Sequence, residues 1–100
     1  MAGIDADNSE IVFDPDGSGG KILLVDDNFS NPHVWIVHFQ GTSFEAAQEL
    51  RPDLVFDGYP HLAYHPCAGY VILHASRAPT DTAGSEPVVL EPLSTFAPGL

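Results

Sequence analysis

Short apolar runs separated by turn chemistry dominate this chain. Ile11-Val12-Phe13 leads into Asp14-Pro15-Asp16-Gly17-Ser18-Gly19-Gly20, and then Ile22-Leu23-Leu24-Val25 begins a second run. Proline presets φ for a turn, aspartate bonds its own backbone, and glycine accepts positive φ. Two apolar runs around such a loop predict a β-hairpin over residues 10–25. Asp26-Asp27-Asn28 and Asn31-Pro32 make a second turn, before His33-Val34-Trp35-Ile36-Val37-His38-Phe39. This run is apolar on both faces, so it is expected to be the central, doubly covered strand, with Trp35 the largest group in the core. Asp53-Leu54-Val55-Phe56 reads as a short strand and Tyr70-Val71-Ile72-Leu73-His74-Ala75 as a clear one.

One helix is predicted, at about 43–51. Thr42 and Glu45 have the spacing of a capping box, Ala46, Ala47, Gln48, Glu49 and Leu50 are good helix formers, and Pro52 ends the run. Pro87-Val88-Val89-Leu90 reads either as an edge strand or as an extended arm. With prolines at 79, 87, 92 and 98 and no cation after Arg77, the arm is the preferred expectation. The expected fold is therefore a β-rich α+β domain. It has a small, mainly antiparallel sheet, one short helix, and an extended Pro-rich C-terminal arm. A compact unit over 1–78 and a tail or docking arm over 79–100 divide the chain.

The length of 100 residues suits one core. Fourteen acids against three basic residues give a formal charge of −11. Gripping phosphates requires clustered Lys and Arg, whereas Lys21, Arg51 and Arg77 are scattered. Direct nucleic-acid binding is therefore not expected, nor docking on an anionic membrane. The lone Cys67 excludes an internal disulfide framework. No apolar run approaches a membrane span, and acids stand where a signal peptide carries cations. The expected location is the cytoplasm or an assembled particle.

Three groups of residues carry candidate chemistry. Asp14-Pro15-Asp16-Gly17-Ser18-Gly19 has the alternating acids and sixth-position glycine of a calcium loop, but Val25 stands where a bidentate acid belongs. His61, His65 and Cys67 are ligand types that zinc accepts, with His38 or His74 available as a fourth. Pro60 and Pro66 break any helix that would align them, so packing roles are preferred and no metal or other cofactor is expected. Cys67 and the five histidines lack a nucleophile elbow, and neither GxxxxGK[ST] nor GxGxxG occurs. Catalysis is not expected.

Lys21-Ile22-Leu23-Leu24-Val25-Asp26-Asp27-Asn28 resembles the first strand and acidic pair of a response-regulator receiver domain. Glu45-Ala46-Ala47-Gln48-Glu49-Leu50-Arg51-Pro52-Asp53-Leu54-Val55-Phe56-Asp57 is similar to that family's second helix and third strand. The resemblance implies a phosphoacceptor at Asp57 and magnesium at Asp26 and Asp27. Parallel strands, however, need a crossover of about a dozen residues, and only five lie between Asp27 and His33. Glu91-Pro92 stands where the family has Lys-Pro, and Ala75 where it has a hydroxyl. The chain is not assigned to that family.

The expected function is that of a non-enzymatic interaction or assembly protein, in its specific form a small virion structural or accessory subunit. Its partner would be another protein or further copies of itself, held by Val88, Val89, Leu90, Leu93 and Phe96. The alternatives are a degenerate receiver-like signalling domain and an acidic nucleic-acid mimic that inhibits a basic protein.

Overall fold

The computed structural model describes residues 6–26, 32–81 and 86–100. It is strand-rich and antiparallel, with a single short helix among those residues. The predicted hairpin is present as β1 (Asn8–Phe13) and β2 (Gly19–Asp26), and β2 then pairs with β3 (His33–Gln40). Asp27, Asn28 and Asn31 of the second turn lie outside the described residues.

The predicted helix at 43–51 is not there. After Gly41, with φ +57°, the chain turns and runs back along β3 as β4 (Ser43–Phe44) and β5 (Gln48–Glu49). Phe44 faces Phe39 and Glu49 faces Trp35, so Val37 and His38 of β3 lie opposite three residues, Glu45, Ala46 and Ala47. That extra residue is a β-bulge. A nine-residue helix is marginal in water. Returning as a strand instead covers the open edge of β3 and seats Leu50 in the core, with its N–H donating to the Val34 carbonyl.

Beyond the bulged strand come β6 (Val55–Phe56), β7 (His61–His65), β8 (Gly69–His74), β9 (Ser76–Arg77), β10 (Val89–Pro92) and α1 (Leu93–Phe96). The second sheet has the order β10-β8-β7, and β6 pairs with β9. Every ladder among the described residues is antiparallel, so the parallel, helix-crossed sheet of a receiver domain is not this fold.

The main core gathers Leu23, Val25, Val34 and Ile36 from the first sheet with Leu62 and Ile72 from the second, together with Leu50, Phe56, Leu93, Phe96 and Ala97. All eight residues of β2 are buried, whereas His38 and Gln40 of β3 are exposed and Trp35 is only half-buried. The strand covered on both faces is thus β2, which is buried along its whole length.

The extended arm is also replaced by folded structure. Val89–Pro92 pairs with β8, and Leu93 and Phe96 close the core. Pro92 (φ −58°, ψ 137°) ends the strand and sets the entry to α1, a role its fixed φ permits. Leu93 and Phe96, three apart in a helix, share one face and point inward together.

Candidate functional site

The first sheet has two unlike faces. Toward the second sheet it presents Leu23, Val25, Val34 and Ile36. On the other side the register aligns Phe13, Gly20, Phe39 and Phe44 in one row across β1, β2, β3 and β4. The next row is Ile11, Ile22 and Val37, and the third is Ser9, Leu24, Trp35 and Glu49. Ile22, Leu24 and Val37 are buried within this layer by Trp35, Phe39 and Ala47. The flanks stay open: Ile11 and Phe13 are each 57% exposed and Phe44 59%. The Phe13 and Phe39 rings meet edge to face at 5.6 Å, and Phe39 lies 6.0 Å from Phe44. His33 stacks on Trp35 at 5.8 Å and is paired with Glu49 at 3.0 Å. An apolar face of this kind marks a place where another surface can dock.

Behind the hairpin lies a polar cluster. Lys21 points to the inner side of β2 and is only 6% exposed. Its amine bonds the His38 imidazole and lies 4.9 Å from the centre of the Tyr70 ring. The Tyr70 hydroxyl donates to Asp14 Oδ1 at 2.6 Å, with the Val12 carbonyl oxygen 3.3 Å away. Burial pulls the Lys21 pKa down, against the opposing pull of Asp14 and Glu45. Burial, reinforced by the bond to Asp14, pushes the Tyr70 phenol up. A cavity of about 260 Å³ beside the bulge is lined by His38, Glu45, Ala46 and Gln48, but Lys21 and Tyr70 are not among its walls. The cluster joins hairpin, β3 and β8, and so pins one sheet to the other.

Removing the Tyr70 hydroxyl tests that pin. Tyr70→Phe is expected to cost about 1–2 kcal/mol at neutral pH, the scale of a hydrogen bond to a charged group that stays partly wet. Because the folded-state pKa is raised, the contribution is full below the ordinary value of 10.0 and declines as pH climbs past it. Lys21, with its lowered pKa, acts with the opposite sign as pH approaches 10.5. Urea unfolding at neutral pH and above pH 10 checks the expectation. A gap between wild type and variant that stays constant across that range contradicts it.

The sequence-derived candidates are scattered. His61 and His65 occupy opposite ends of β7, about 13 Å apart at a strand's rise, too far to share an ion. His61 bonds Glu10 at 2.9 Å, and His65 Nδ1 accepts the N–H groups of Cys67 and Ala68. Cys67 is free and exposed. Among the described residues no group of three or more His, Cys, Asp or Glu is placed to hold a metal. In the hairpin, Asp16 Oδ1 accepts from the N–H and hydroxyl of Ser18, bonds that lower its pKa, while Asp14 is engaged by Tyr70. Asp57 is paired with Arg77 at 3.2 Å, and Asp26 is buried at the end of β2.

Of the five expected partner-binding residues, Val88 and Leu90 are exposed at 68% and 66%, and Val89 is half-buried. Leu93 and Phe96 are core residues and are not available to a partner. Ile11, Phe13, Phe39 and Phe44 were not anticipated as a site. Their signal was the aromatic residues on either side of the paired glycines, which only the strand register brings into one row.

No helix among the described residues is long and apolar enough to cross a membrane. Comparison with protein-family models, curated proteins and solved structures finds no match to this chain.

Proposed function

We propose that this chain is a non-enzymatic protein-interaction or assembly module, which docks a partner polypeptide on the outer face of its first sheet. One observation carries the reading: Phe13, Phe39 and Phe44 form a continuous aromatic row, flanked by Ile11, with its ends more than half open. Aromatic side chains supply large contact area at low entropic cost and anchor interfaces disproportionately. A subunit of a larger particle, such as a virion accessory protein, is the specific form we favour.

A photo-crosslinking residue at position 13 or 44 tests the reading in cells that make the chain. Discrete protein adducts are expected from these two positions and none from Asp53, which lies outside the aromatic rows. An equal yield from all three positions, or no adduct from 13 and 44, contradicts it.

A further inference from the structure

We infer that the occupant of this face is a basic polypeptide segment, with Lys or Arg interspersed among apolar side chains. The inference rests on the docking reading above and adds the chemistry of the partner. The aromatic rows contain no Lys or Arg. Lys21 is buried on the opposite side of β2, while Arg51 is paired with Asp53 at 2.7 Å and Arg77 with Asp57. Acids border the face instead: Asp16 at the hairpin tip beyond Phe13, and Glu49 beside Trp35.

With a formal charge of −11 and its cations engaged internally, the chain presents negative potential around an apolar centre. Such a surface steers cations inward and repels like charge. Exposed phenylalanine faces also attract ammonium and guanidinium groups directly. A second copy brings no complementary charge, because a two-fold contact through this face presents the same rows, which contain no Lys or Arg.

The test uses the full chain and three short synthetic peptides, in which leucine alternates with lysine, glutamine or glutamate. Binding is followed by calorimetry and by the fluorescence of Trp35, the only tryptophan, which lies on the face itself. The lysine peptide is expected to bind at least about tenfold more tightly than the glutamine peptide, an advantage that salt erodes. A Phe13→Ser, Phe44→Ser variant keeps the charge and, with both side chains exposed, is expected to keep the wild-type circular dichroism. It should lose at least about tenfold in affinity for the lysine peptide.

Equal binding of the lysine and glutamine peptides overturns the inference about charge while leaving the docking face intact. Undiminished binding by the double variant removes the face itself, and with it the docking reading. Dimerisation of the wild type that the double variant abolishes assigns the face to a second copy and also overturns the inference.

Discussion

Phe96→Ala is expected to remove a large share of the protein's stability and to lower its urea midpoint markedly. The side chain is 4% exposed in the main core, 6.0 Å from the Phe56 ring and 4.0 Å from the His74 ring. Truncating a buried phenylalanine costs about 3–5 kcal/mol, and a whole domain is stable by only about 5–15. Other contacts tie the same segment to the core. Arg51 donates to the Phe96 carbonyl at 2.9 Å, with its guanidinium 5.4 Å from the ring, so α1 is clamped to the loop before β6. His74 Nε2 stands 3.4 Å from a Glu91 carboxylate oxygen, linking β8 to β10 beside the same ring. A chain cut after Ala78 loses β10 and α1 together, and is expected to be recovered unfolded or aggregated, since it also bares an edge of β8. Urea unfolding of the point variant and circular dichroism of the truncated chain measure both. A midpoint close to wild type in either case places residues 89–96 outside the cooperative core.

This result separates what was legible in the sequence from what was not. The β1–β2 hairpin was readable because Pro15, Gly17 and the flanking apolar runs specify it locally. The strand at Gly69–His74 was readable because its apolar run is nearly continuous. The segment at 43–51 was misread because its propensity and caps favour a helix, while the competing demand came from a distant partner, the unpaired edge of β3. Residues 79–100 were misread for a related reason. Four prolines exclude a central strand but permit an edge strand framed by Pro87 and Pro92, and the pairing partner His74 lies fifteen residues before Val89. The sequence pattern predicts no strand at His61–His65, a short segment bounded closely by Pro60 and Pro66. The candidate site was least legible, since it is a property of strand register and no contiguous stretch of sequence contains it.

Gly20 is where that register is most exposed to a single change. Two adjacent glycines in a buried strand are costly in backbone entropy, and neither has the positive φ that would justify glycine in a turn. Close approach explains them. A Cβ added to Gly20 would stand 2.1 Å from the Val12 carbonyl oxygen, 2.9 Å from Phe13 Cα and 3.0 Å from Phe39 Cζ. The first two contacts are backbone and cannot swing aside, so β1 would have to shift away from β2. Overpacking typically costs about 1–3 kcal/mol, and Gly20→Ala is expected at or above the top of that range. The shift would also carry Phe13 away from Phe39 and open the aromatic row. The variant is therefore expected to lose both stability and affinity for the lysine peptide, whereas the Phe13→Ser, Phe44→Ser variant loses affinity alone. Melting and peptide titration of the two variants side by side make the comparison. A Gly20→Ala protein with wild-type melting and wild-type binding would show that β1 and β2 do not approach as closely as the structure places them.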